Sequence, residues 1–350
     1  MFLMAGSFGT VLTVSSDNKL YHAYPEEVSP DLCFDINGHI TCAPEGFREL
    51  DSIQIRREGD AWVLVSDGQF MCADIGGAIS WRTDCLAMEK FRLLPFEEYV
   101  SIQRDRIKTP RKKQKFQISR TLHQIFLNGQ PPSELELASE QLRKMNPGWE
   151  YVRYDAKDIL DFIYDFYGWD ILKFYLQINP RYGAARADLF RYLCIYQKGG
   201  VYLDIKAGTR SPLDSFIRSD DQYLLSHWRN GPGEPNEGCG LGPEMSSING
   251  GEYQQWHVIG SKGHPFLEDV INNIISRIHK YRDDYFGSGK IGVLRLTGPY
   301  VYTTSINKNI NKYNHRFFDS YDSGLVYNVV DEYTKLFKNH YSNETLPIVL

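Results

Sequence analysis

The stretch from Ala184 to Asp214 constrains this chain most: AARADLFRYLCIYQKGGVYLDIKAGTRSPLD. Leu189, Leu193 and Tyr196 recur near the helical period, so Ala184 to Gln197 reads as a helix. Lys198 followed by Gly199 and Gly200 suits its C-terminus, a cation near the carbonyl end and glycine where the backbone must turn left-handed. Val201, Tyr202 and Leu203 then read as a short buried strand. Asp204 is pushed out at its carboxyl end, where open α/β sheets place ligand chemistry. Asp188 and Arg191 lie three apart and share a helix face. A carboxylate, a guanidinium and a strand-end carboxylate therefore converge on one helix–strand unit.

The rest of the chain gives that unit a setting. A length of 350 residues allows two domains. With 42% hydrophobic and 24% charged residues the composition is that of a globular protein. A net charge of -5 argues against a general nucleic-acid partner. No run approaches the ~18 apolar residues of a transmembrane span. The six cysteines form no CxxC pair, so zinc is not indicated, while their even number permits disulfides.

Residues 1–100 read as a small all-β domain, with alternating runs such as Val11–Val14 and Trp62–Val65 cut by turn residues. Asp67-Gly68 and Gly76-Gly77 are hairpin signals. An E-x-F-R-x-L echo, Glu45–Leu50 and Glu89–Leu94, points to repeated β units. Residues 101–117 form a basic boundary with Arg104, Arg106, Lys108, Arg111, Lys112, Lys113 and Lys115, read either as a solvated linker or as a peripheral membrane contact. From residue 118 to 350 strands and helices alternate, which argues for a mostly parallel sheet. Strands are expected at 118–127, 149–154 and 222–226. A capping box of Ser133 and Glu136 is expected to open a helix to Met145. One long helix is expected from Asp155 and Asp158 through Ile163, Phe166, Ile171 and Phe174, and another over 264–281.

Asp188, Arg191, Tyr192, Gly199, Gly200, Tyr202 and Asp204 stand at the spacing of the sugar-binding region of DXD-type glycosyltransferases, family 32 of that class, which the segment resembles. The resemblance implies a GT-A type fold, an α/β sandwich that binds nucleotides. It implies a retaining enzyme that moves a hexose or N-acetylhexosamine from a UDP- or GDP-sugar to a glycan, lipid or protein acceptor. Other readings are a catalytically weakened sugar- or nucleotide-binding module, and a toxin-like protein glycosyltransferase. Secretory members of the family carry a membrane anchor near the N-terminus; none is visible here, so a cytoplasmic enzyme is expected. The β domain resembles fascin-like β-trefoil repeats, with two of three units visible, so a partial trefoil or another small barrel is expected.

Residue roles follow from the same resemblance. Asp188, Arg191 and Asp204 are the expected catalytic set, the first two holding donor-sugar hydroxyls. The family's first motif matches Ile118 to Phe126, with Phe126 in place of a tryptophan; Phe126 and Leu127 would border the base. Phe126 also reads as simple core, and His123 as a core histidine. Tyr202, Lys206, Asn249 and Gly250 complete the donor-binding set. The second DXD carboxylate is replaced by Lys206. Either Asp204 still helps hold Mn²⁺ or Mg²⁺, with His340 as a further ligand, or the Lys206 ammonium neutralises the diphosphate in place of the ion. Thr297-Gly298-Pro299 would line the sugar side, and Gly231–Gly242 reads as a lid or a disordered loop.

Overall fold

The computed structural model describes the chain except residues 7–9, 24–27, 75–77, 87, 108–115 and 331–340. His340, the Gly76-Gly77 hairpin signal and most of the basic boundary lie outside the described residues. Two compact units result, 1–106 with 275–287, and 107–274 with 288–350.

Among its described residues the first unit has strands β1 Phe2–Ala5, β2 Val11–Val14, β3 Leu20–Ala23, β4 Cys33–Phe34, β5 Ile40–Cys42, β6 Gln54–Glu58, β7 Ala61–Ser66, β8 Gln69–Ala73, β9 Ile79–Arg82 and β10 Arg92–Pro95. One sheet runs β3-β2-β1-β4-β5, with β10 also on β1, and the other is the meander β6-β7-β8-β9. The predicted Asp67-Gly68 turn joins β7 to β8, both residues at positive φ (49° and 76°), as a two-residue hairpin requires. The E-x-F-R-x-L echo is not a repeated structure: Arg48–Leu50 lies in turns, whereas Arg92–Leu94 lies in β10. What repeats is burial, since Phe47, Leu50 and Phe91 join one core. These sheets do not establish a trefoil. Helix α1, Phe96–Arg104, also crosses the expected boundary at residue 100.

In the second unit come β11 Thr121–Ile125, α2 Ser133–Met145, β12 Glu150–Tyr154, α3 Ala156–Tyr167, α4 Trp169–Gln177, α5 Gly183–Lys198, β13 Gly200–Leu203, β14 Gly208–Thr209, β15 Tyr223–Leu225 and β16 His257–Gly260. Helix α6 Pro265–His279 is divided between the units after residue 274 and α7 Asp283–Phe286 falls in the first, whereas α8 Gly289–Leu296, α9 Pro299–Lys308, β17 Arg316–Phe317 and β18 Leu325–Val326 are again in the second. The sheet order is β12-β11-β13-β16-β15-β17. Five strands point the same way and β16 alone runs against them, which its antiparallel pairing to both β13 and β15 requires. The sheet is mostly parallel, as expected.

Two local expectations are corrected. Ser133 does not cap α2; its hydroxyl bonds Glu134, and Glu136 turns instead to Arg153 at 2.5 Å. The capping box belongs to α3, where the Asp155 carboxylate accepts from Lys157 and Asp158 N–H, and Asp158 accepts from Asp155 N–H. The single long helix is two, because Gly168 sits at φ 68° between α3 and α4. No helix among the described residues is long and apolar enough to cross a membrane.

Candidate active site

The turn from α5 into β13 sets the site. Gly200 has φ 100°, and a Cβ there would lie 2.4 Å from the Thr121 carbonyl oxygen. That closeness lets β13 slot between β11 and β16 with all four residues buried. Three adjacent parallel strands then end together: β11 before Phe126, β12 before Asp155, and β13 before Asp204. Asp204 is anchored through its backbone, its N–H donating to Trp256 and its carbonyl accepting from the Gln124 side chain.

Helix α5 brings Asp188 and Arg191 to that strand end. Both are buried, at 2% and 5% exposure. Arg191 ion-pairs with Asp188 at 3.1 Å and Asp204 at 3.2 Å, and its guanidinium stacks 4.7 Å from the Tyr202 ring. Its other amino group donates to the Gln255 backbone and side-chain oxygens at 2.7 and 2.8 Å, and Nε to the Ala187 carbonyl. A guanidinium has five N–H donors; hydrogen bonds to Ala187 and Gln255 take up Nε and one amino group, and the remaining amino group faces the Asp188 and Asp204 carboxylates as an ion pair. Tyr202 is likewise buried, and its hydroxyl donates to Asp204 Oδ1 at 2.9 Å. Among the described residues the side-chain contacts found to Asp204, a partly exposed carboxylate, go to Oδ1.

Asp188 accepts from Gln255 and from the Thr297 hydroxyl at 3.0 Å. Burial pushes its carboxyl up to about 6, against the pull of the Arg191 charge. Gln255 was not anticipated; it lies just before β16, a strand whose sequence gave no alternation. Thr297, of the triplet expected to line the sugar side, does meet the cluster through Asp188.

The other expected donor residues are more dispersed. Phe126 is buried against Leu135, Ala138, Ile205 and Val330, and it also borders a cleft lined by Gly129–Pro131, Arg153–Asp155 and Asp158. Leu127 is half-buried beside Gly183. Phe126 is a core residue whose ring also borders this cleft. Lys206 donates to the Tyr327 hydroxyl at 2.8 Å and lies 4.0 Å from that ring's centre. Asn249 is exposed; Gly250, at φ 85°, packs on the His227 ring, where a Cβ would come within 2.9 Å. Neither touches the Asp188–Arg191–Asp204 cluster. His123 is a core residue, bonded to Tyr154 and the Gly199 carbonyl and pushed down to about 4 by burial. The Gly231–Gly242 run is internally bonded, with Glu234 and Glu237 carboxylates accepting from Gly231 and Gly233 N–H.

A divalent ion of this kind takes several oxygen ligands. Among the described residues no three acidic, histidine or cysteine side chains gather to hold one. Asp188 is engaged by Arg191, Gln255 and Thr297, and the position of the second carboxylate carries the Lys206 ammonium. Among the described residues the donor set does not by itself form a protein-held metal site, and His340, the other expected ligand, lies outside them.

Residues 132–223 match the family described as the glycosyltransferase sugar-binding region containing DXD motif. Inositol phosphoceramide mannosyltransferase 1 of Schizosaccharomyces pombe is 25% identical over 194 residues, 55% of this chain and 53% of that protein. The initiation-specific alpha-1,6-mannosyltransferase of Candida albicans is 29% identical over 150 residues, 41% of this chain and 38% of that protein. The chain thus spans about half the length, or less, of the curated relatives it matches. Among solved structures, the ligand-free glycosyltransferase domain from the YGT toxin aligns over 59% of this chain and 80% of its own, at 8% identity and a TM-score of 0.42. The segment from the start of α2 to β15, which carries Asp188, Arg191 and Asp204, therefore matches the sugar-binding region of the DXD glycosyltransferases, with Asp204-Ile205-Lys206 at the DXD position.

Proposed function

We propose that the chain is a nucleotide-sugar-dependent glycosyltransferase. It would move a hexose or N-acetylhexosamine from a nucleotide diphosphate to a glycan, lipid or protein acceptor, with retention at the anomeric carbon. The observation that carries this reading is the Arg191 bridge between Asp188 and Asp204 at the carboxyl ends of three parallel strands. The matched relatives, named as mannosyltransferases, favour a mannosyl donor and, for the inositol phosphoceramide enzymes, a lipid acceptor.

The residues support a division of labour. Asp188 and Asp204 accept hydroxyls of the donor, and Arg191 fixes both carboxylates at the required angle. Lys206, two residues beyond Asp204, supplies positive charge for the leaving diphosphate. Neutralising that charge in a site shielded from water is the main electrostatic task of such a transfer. Phe126 and the neighbouring cleft take the base, where an aromatic face contributes about 1–3 kcal/mol by stacking.

The decisive experiment incubates the full chain with UDP- and GDP-linked hexoses and N-acetylhexosamines, with and without EDTA, and follows nucleotide release. Release from one donor class, unaffected by EDTA, is expected. Loss of activity in EDTA with recovery in Mn²⁺ would restore the metal reading. A second reading, a sugar- or nucleotide-binding module with weakened catalysis, is favoured by the same Lys206; it predicts tight nucleotide binding with no release.

A further inference from the structure

Two of the six cysteines face each other. Cys33 on β4 and Cys42 on β5 are direct partners across an antiparallel ladder. Directly opposed residues of such a ladder have Cβ atoms about 4.5–5.5 Å apart, and a disulfide needs about 3.5–4.5 Å. The ladder is irregular at this point, with Thr41 as an extra residue between the Cys33–Cys42 and Phe34–Ile40 pairs. A bulge bends its strand and lets the hairpin close by the remaining distance.

The two thiols differ in access. Cys33 is buried and its Sγ donates to the Pro30 carbonyl at 3.2 Å, while Cys42 is exposed. Burial raises the Cys33 thiol, and the nearby Cys42 thiol adds to that rise. Cys72, by contrast, faces Ser80 across its ladder, and Cys194 lies inside α5. No other two cysteines are ladder partners among the described residues.

We propose that Cys33 and Cys42 form a redox-modification site, a cross-strand disulfide made by exchange with a small-molecule disulfide such as oxidised glutathione. The Cys42 thiolate attacks one glutathione sulfur, the glutathione S–S bond breaks, and one glutathione thiol leaves. The Cys33 thiolate then attacks the Cys42 sulfur of the mixed disulfide and releases the second glutathione thiol. Two protein thiols are oxidised and one glutathione disulfide is reduced to two thiols. The bond closes the hairpin 34–41 and ties β5, an edge strand with all three residues exposed, to its single neighbour β4. An edge strand held in this way is less able to pair with another chain.

The tryptic peptide Leu20–Arg48 contains both cysteines and no others, so mass spectrometry reads the site directly. The folded full chain is treated with oxidised glutathione, then denatured and alkylated with N-ethylmaleimide. The expected peptide carries no label and is two hydrogens lighter than the reduced one; dithiothreitol restores two alkylation sites. In Cys42→Ser, Cys33 stays alkylatable after the same treatment. A wild-type peptide alkylated at both cysteines, or one with glutathione left on Cys42 and Cys33 still alkylatable, overturns the proposal. As a second readout, chymotryptic cleavage within 34–41 is expected to slow about tenfold on oxidation, since cross-linking a short loop restrains its opened forms. Unchanged cleavage in the oxidised protein would show that the bond does not hold the hairpin.

Discussion

Arg191 is buried and bridges two carboxylates, so its loss should act first on the fold. Arg191→Met leaves Asp188 buried without its counter-charge, a change that costs about 3–5 kcal/mol. Chemical denaturation should show that loss. Asp204→Asn is different, because the carboxylate is partly exposed and its backbone anchors remain. It should lower transfer by about a hundredfold or more with unfolding midpoints close to wild type; full activity in that variant would sink the assignment. Asp188 adds a pH signature. Its carboxyl is raised to about 6 from an ordinary 3.8. The stability this group contributes is therefore present below 3.8 and is lost as pH rises through about 6. Donor binding has the opposite sign, since the ionised carboxylate is the form that orders Arg191. Affinity for the nucleotide sugar should fall as pH drops from 7 to 5, more than affinity for the free nucleotide. Asp188→Asn should flatten that difference; an unchanged difference would place the titration elsewhere. At this scale the identities of Asp188, Arg191 and Asp204 were legible from spacing alone. That Arg191 would also bond Gln255 was not, because Gln255 comes from a distant segment and only the folded sheet brings it close.

The helix–turn–strand element was the most legible part of the chain, since its glycines state their own requirement. Gly200→Ala tests it. The substitution places a Cβ at φ 100° and 2.4 Å from a backbone oxygen that cannot move aside as a side chain could. Strain alone costs about 1–3 kcal/mol, and the clash adds to it. The expected result is a lower unfolding midpoint together with loss of donor binding, because Asp204 rides on the displaced strand. A stable, active Gly200→Ala protein would show that β13 can shift without moving the site. Elsewhere local signals misled for identifiable reasons. Ser133 had the sequence of a cap, but Pro132 occupies the cap position and Arg153 draws Glu136 away. The apolar period running through α3 and α4 hid the break at Gly168, because the two helices bury residues on either side of it in similar register. Strand β16 went unread since His257–Gly260 is buried on both faces and carries no alternation.

On the scale of the whole molecule, the change from short strands and turns to alternating strands and helices was readable as two units. The assignment of residues 275–287 to the first unit was not, because a return to that unit after the intervening residues 107–274 leaves no local trace in sequence. Each unit has its own apolar core, one built around Phe34, Leu64 and Phe91, the other around Val201, Leu203 and Ile259. A ligand that binds one folded unit stabilises that unit by mass action, about 2.7 kcal/mol at a hundred times its dissociation constant. Hydrogen exchange read by mass spectrometry can follow the two units separately. Adding the preferred nucleotide sugar should slow exchange in 107–274 and 288–350, most strongly at the carboxyl ends of β11, β12 and β13 and along α5. Residues 1–106 should exchange as they do without donor. Protection centred on the β unit would move the sugar site there and leave the Asp188–Arg191–Asp204 cluster as structure alone.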